Sequence, residues 1–208
     1  FHGDLGSFAG ITITNPLTQP GYNSIEPDFH RGLLMTEAKL RQKGYERIGF
    51  IPRDISESLD RSHRLSAFLF TELARPKRNS VPILWEDSDP AKMKQKLNQW
   101  IQKNEPDVVI STIQIIPEYL KELGYKIPDD LGFVNLDLIE NSGHQAGINS
   151  NWYEVGSMAA SQVIESIVSN NFGPVQQPKV TLAAPIWVEG ESLPKKFTSD
   201  KVSALGFN

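Results

Sequence analysis

The chain has 208 residues, 39% of them hydrophobic and 22% charged, an ordinary globular balance that supports one sizeable core or two smaller lobes. Its longest apolar runs, such as DVVISTIQII over 107–116, fall far short of the roughly 20 residues that cross a bilayer, and a net charge of −4 argues against a surface that tracks phosphate backbones. The absence of cysteine excludes disulfides and thiolate catalysis, removes the usual structural zinc sites, and agrees with a cytoplasmic location.

Short β-branched or aromatic stretches alternate with helical periodicity, the grammar of an α/β fold with a mainly parallel sheet flanked by helices. The first strand falls over 10–14. A helix over 28–43 follows, with Asp28 as cap, Phe29, Leu33 and Leu40 on one stripe, and Gly44 ending it where positive φ is tolerated. A strand over 48–52 leads to a helix over 60–74, whose Leu65, Phe68, Leu69 and Leu73 form one face and which stops before Pro76. After a strand over 81–85, Ser88-Asp89-Pro90 supplies a cap followed by proline at the first helical position. Met93, Leu97, Trp100 and Ile101 then recur at helical spacing. A strand over 107–111, a short helix over 117–123 closed by Gly124, and strands over 131–136 and 147–149 come next. The last helix, 152–168, opens on Asn151 with Glu154 three residues on, a variant capping box. Its Val155, Met158, Ala159, Val163, Ile164 and Ile167 cover more than one stripe, which predicts burial on more than one side or at a subunit contact. A strand over 180–183 precedes a tail from 194 that loses periodicity.

The common catalytic signatures are missing from the sequence. Four histidines, His2, His30, His63 and His144, are scattered without metal-ligand spacing, so no metal site is expected. No G-x-S-x-G elbow, Lys-Ser/Thr phosphate loop or G-x-G-x-x-G fingerprint occurs, and no cofactor is implied. Glu86, Asp87 and Asp89 lie just before a helix, where capping and solvation explain them better than paired acid and base work. The expectation is a binding protein, not an enzyme.

The stretches NSIEPDFHRGLLMTEAKLRQKGYERIGFI, RSHRLSAF, GYKIPDDLGFVNLD, AGINSNWYEVGSMAASQVIESI and IWVEGESL, spread over most of the chain from Tyr22 to Leu193, together resemble the effector domain of the lactose-repressor/galactose-repressor (LacI/GalR) family of transcriptional regulators. NSIEPDFHRGLLMTEAKLRQKGYERIGFI carries Asp28, Gly32, Leu40, Gly44, Arg47 and Ile48 in the family's places. RSHRLSAF resembles the helix start whose arginine, Arg64 here, reaches the effector. GYKIPDDLGFVNLD ends on Asp137, in the place of the carboxylate on the cleft floor, and AGINSNWYEVGSMAASQVIESI resembles a crossover strand and helix with Gly156 and Ala160 in register. IWVEGESL occupies the place of the closing strand. Two departures stand out: Thr112 and Ile113 replace an Asn-Asp pair, and Glu189-Gly190-Glu191-Ser192 replaces an Arg-x-Ser.

The resemblance implies a type I periplasmic-binding-protein-like fold, present mostly as its C-terminal lobe. Residues 1–27 would be a remnant of the N-terminal lobe and first crossover, and 28–148 the C-terminal lobe. The segment 149–175 would form a crossover and a helix that normally packs in the N-terminal lobe, with 176–193 as closing strands and 194–208 as tail. It further implies a small effector, a carbohydrate, bound by Arg64, Asp137, Trp152, Ser150 and Thr112, with Asn15 also near the cleft. Operator DNA would be reached through a helix-turn-helix headpiece outside this sequence, in a homodimer. A fork of guanidinium donors, a carboxylate acceptor and an aromatic face suit sugar hydroxyls and the ring's apolar side. Two other readings share the fold grammar: a periplasmic sugar-binding protein of a transporter, and a sugar-active enzyme on an α/β scaffold.

Overall fold

A computed structural model describes residues 5–14, 21–53, 59–139 and 143–196. In chain order its elements are β1 (Thr12–Ile13), β2 (Ser24–Pro27), α1 (Phe29–Gln42), β3 (Ile48–Ile51), α2 (Leu59–Leu73), α3 (Pro90–Asn104) and β4 (Val108–Ser111). There follow α4 (Ile116–Glu122), β5 (Gly132–Asn135), β6 (Ala146–Asn149), α5 (Trp152–Val168), β7 (Val180–Ala183) and β8 (Ile186–Val188). They build two sheets, one of five strands ordered β3-β4-β5-β6-β8 and one of three ordered β1-β2-β7. All pairings are parallel except β6 with β8. The expected α/β architecture is therefore present, divided between two units.

The larger sheet is covered on both faces, which is why β3, β4 and β5 read as continuous apolar runs. Successive side chains point to opposite faces. Phe50, Val108, Ile110 and Val134 meet α1 and α2 through Leu33, Leu40, Ala67 and Phe68. Ile51, Val109 and Phe133 meet α3 and α4 through Met93, Leu97, Trp100 and Leu120. Gly49 leaves the space that the Trp100 ring fills, since a Cβ there would collide with it. Local signals place the helices: Asp28 accepts from Arg31 N at 2.9 Å, Asp89 accepts from Ala91 N at 2.9 Å, and Gly44 sits at φ 87°. Arg47 ties three segments together by donating to the carbonyls of Glu105, Arg78 and Asn104.

Four expectations need correction. The stretch 81–85 is extended beside β3 but forms no ladder. Leu84 N donates to Phe50 O at 3.1 Å, yet the neighbouring parallel bonds would need N–H groups from Pro52 and Pro82, which have none. The buried face of α2 is Arg64, Ala67, Phe68 and Thr71, continued by Arg75 just beyond the helix end, while Leu69 and Leu73 are exposed. Polar residues are buried there because they are partnered across the α1–α2 contact. Glu37 Oε1 lies 2.5 Å from Arg75 Nη2 and accepts from Thr71 Oγ1 at 3.0 Å. Asn151 makes no capping box: it adopts a left-handed conformation, φ 57°, and its side chain donates to Ala184 O instead. Finally, among the described residues α5 buries Val155 and Ala159 against Ile25 and Ala183 on one side and leaves Ile164, Ile167 and Val168 exposed, so of the two alternatives expected for it, burial on more than one side within the chain is not found.

Candidate ligand-binding site

The chain passes between the two units three times: from β2 into α1, from β6 into α5, and from β7 into β8. The passages are fastened to one another. Asp28 N donates to Ala183 O at 2.9 Å, joining the first to the third, and the Asn151 amide joins the second to the third. They meet over the carboxyl ends of β5 and β6, the edge where open α/β sheets bind ligands. A crevice there, lined by Asp28, Phe29, Arg64, Ser150 and Pro185, encloses about 10 Å³, the space of about one water.

Arg64 leaves α2 toward this edge and is buried, at 6% exposure. Its guanidinium carbon lies 4.1 Å from the centroid of the Phe29 ring, Nη2 donates to Leu136 O at 3.3 Å, and Nη2 stands 3.7 Å from Asp137 Oδ1. Ser150, fully buried just beyond β6, donates to the same carboxylate oxygen at 3.2 Å. Arg64, Asp137 and Ser150 are thus brought together, and the Asp137 side chain keeps 42% of its surface exposed. Trp152, at the first turn of α5, is 47% exposed and stands edge-on to Phe29 at 6.4 Å between centroids. Thr112 follows β4 at the same edge and is half-buried. Asn15 lies outside the described residues.

Two features were not expected from sequence. Phe29 reads there as a core residue of α1, yet its ring supports both Arg64 and Trp152. Its place directly after the cap Asp28 was the available signal. An amide cluster also borders Asp137: Asn135 Oδ1 accepts from Asp137 N at 2.9 Å, and Asn135 Nδ2 donates to Gln114 at 2.8 Å and Gln145 at 2.9 Å. Among the described residues no group of three or more His, Asp or Glu could hold a metal ion, and no helix is long and apolar enough to cross a membrane.

Two units joined by three passages, with polar groups collected where the passages meet, make a fold that this chain shares with solved structures of LacI-family transcriptional regulators. The chain is similar to the LacI family transcriptional regulator from Enterococcus faecium solved with bound ribose, at 13% identity and a TM-score of 0.70, covering 90% of this chain and 71% of that one. A structure of the regulator CelR with cellobiose matches at 16% identity and TM-score 0.67, over 88% of this chain and 58% of that one. CcpA of Lactococcus lactis matches at 12% identity and TM-score 0.63, over 88% and 68%. No protein-family model and no curated protein matches the sequence.

Proposed function

We propose that this chain is the effector-binding part of a LacI/GalR-type transcriptional regulator, and that its effector is a carbohydrate. The observation that carries the reading is the convergence of Arg64, Asp137 and Ser150 at the point where all three passages meet. A buried fork of donors beside a partly exposed carboxylate is suited to vicinal hydroxyls, and Trp152 supplies a face for the ring. Thr112 adds a hydroxyl at the neighbouring strand end. Bound ribose and cellobiose in proteins of the same fold support a sugar. Ser150 donates to a carboxylate that already sits beside a guanidinium, a pairing that grips a ligand and does not activate a nucleophile.

In this reading residues 28–148 are the C-terminal lobe, and β1, β2, β7 and α5 belong to the N-terminal lobe. Effector binding closes the lobes over the crevice, because the closed state alone offers contacts from both sides. Closure within a homodimer resets the spacing of helix-turn-helix headpieces on operator DNA. The test is a thermal-shift screen of ribose, cellobiose and other sugars. A ligand at a hundred times its dissociation constant stabilises the fold by about 2.7 kcal/mol, and the shift is lost in Arg64→Ala and Asp137→Ala. A folded chain that responds to no sugar overturns the carbohydrate reading.

A further inference from the structure

We infer that Gln114 is a positioning residue for this site: with Asn135 it clamps the backbone of Asp137, so that the carboxylate meets Arg64 and Ser150. The inference rests on the binding site proposed above. Asp137 lies just past the end of β5, between Leu136, whose N–H donates to Ser111 O at 2.8 Å, and Leu138, whose N–H donates to Ile148 O at 2.9 Å, and its own N–H and C=O face neither neighbouring strand. Side-chain amides hold them instead. Asp137 N donates to Asn135 Oδ1 at 2.9 Å, and Asp137 O accepts from Gln114 Nε2 at 3.0 Å, so both backbone polar groups of the residue are held. Gln114 and Asn135 also pair with each other, Asn135 Nδ2 donating to Gln114 Oε1 at 2.8 Å while Gln114 Nε2 approaches Asn135 Oδ1 at 3.4 Å.

The arrangement is built around one buried group. Asn135 is 3% exposed, and its second amide hydrogen goes to Gln145 Oε1 at 2.9 Å, so its donors and acceptor are all engaged. A buried amide with every partner present holds one geometry, since any rotation would leave a polar atom unsatisfied. Gln114, in contrast, is exposed and sits in the loop between β4 and α4. It can be altered without disturbing the core, and Asp137 is the group that would feel the change. Gln145 precedes β6, the strand that leads to Ser150, so the same cluster spans the segments that deliver both partners of the carboxylate contact.

The experiment compares the unsubstituted chain with Gln114→Met, which keeps length and loses both bonds. A third chain, Gln114→Glu, keeps the acceptor for Asn135 and loses the donor to Asp137 O. Amide hydrogen exchange is read at Asp137 and, as an internal control, at Phe133 of β5, whose N–H donates to Ser192 O in the segment after β8. Ribose and cellobiose titrations are run beside it. The expected result is exchange at Asp137 faster by about tenfold in Gln114→Met, which also removes the acceptor that seats Asn135, and by about threefold in Gln114→Glu, which loses only the bond to Asp137 O, with unchanged exchange at Phe133, an unchanged melting temperature, and affinity lowered about five- to tenfold in Gln114→Met for the sugar that binds. Exchange at Asp137 within twofold of the unsubstituted chain overturns the inference. So does an equal rise at Phe133, which would make Gln114 a general structural residue, and so does full affinity alongside faster exchange. If neither sugar binds the unsubstituted chain, the site reading fails for these ligands, and the exchange comparison still decides whether Gln114 holds Asp137.

Discussion

The two sheets of this chain are stabilised very differently. The five-stranded sheet lies between pairs of helices, with fourteen buried apolar residues in the cluster on one face and twelve in the cluster on the other. Among the described residues the three-stranded sheet has one helix against it and a cluster of four, Ile25, Val155, Ala159 and Ala183, while Val180 and Leu182 stay about half exposed. Burial scales with layers, so the larger unit carries most of the stability and the smaller one opens first. The same covalent chain thus holds a rigid platform for Arg64, Asp137 and Ser150 and a more easily displaced attachment carrying Trp152.

The strongest test of this asymmetry strikes the platform. Phe68 is wholly buried, with its ring 4.8 Å from that of Phe50, and Phe68→Ala should cost about 3–5 kcal/mol in urea denaturation. A loss under 1 kcal/mol would mean the platform is not the stability core. Removing the guanidinium by Arg75→Ala should cost about 3 kcal/mol, because buried Glu37 keeps only Thr71 and the half-exposed Arg41 at 3.8 Å and Glu72 loses its partner as well, whereas also replacing Glu37 by an apolar residue should recover part of it.

High pH offers a probe confined to the platform. Burial, aided by the charge of Asp107, pushes the Tyr45 hydroxyl from its ordinary 10.0 up to about 12. A raised folded-state value means the protonated form is favoured on folding. Its contribution, roughly 2–3 kcal/mol, is complete below pH 10 and lost as pH rises through about 12. Tyr45→Phe should remove that part of the alkaline slope in denaturation curves taken from pH 9 to 12.

Ile25→Ala acts on the other unit and should cost about 2–3 kcal/mol locally. Hydrogen exchange should then quicken at Thr12 and Thr14, whose amides donate to Asn23 O and Ile25 O, and remain unchanged at Leu136, bonded to Ser111 O. Equal acceleration at both would show that the units open together. The smallest effect is a gain. Glu105 ends α3 in the left-handed region at φ 44°, so Glu105→Gly should stabilise the platform by about 1 kcal/mol and widen the interval between the two openings.

Where a structure is decided locally, the sequence was readable. Asp89-Pro90 announces the start of α3 because the cap and the fixed φ of proline act within one turn, and Val108–Ser111 reads as a strand because both its faces are buried. Where partners from distant segments decide, it was not. In α2 hydropathy selects Leu69 and Leu73, but Arg64 and Thr71, with Arg75 just past the helix end, take the buried face through Glu37, Asp137 and Leu136, none of which is near in sequence. Strand 81–85 has the right residue types and fails through two prolines on two different segments. Within the site, Arg64, Asp137, Ser150, Trp152 and Thr112 stood out through family resemblance. Asn135 ends an apolar strand and Gln114 lies in a loop, and nothing in their own neighbourhoods announces that they meet.

The fastening of the three passages has a mechanical consequence. Because Asp28, Asn151, Ala183 and Ala184 are bonded into one knot, the small unit has a single short pivot in place of three independent tethers, and it can swing more readily than it can slide. Helix α5, 17 residues and so about 25 Å long, starts at that pivot and works as a lever. A turn of about 5° at Asn151 would move its far end by about 2 Å.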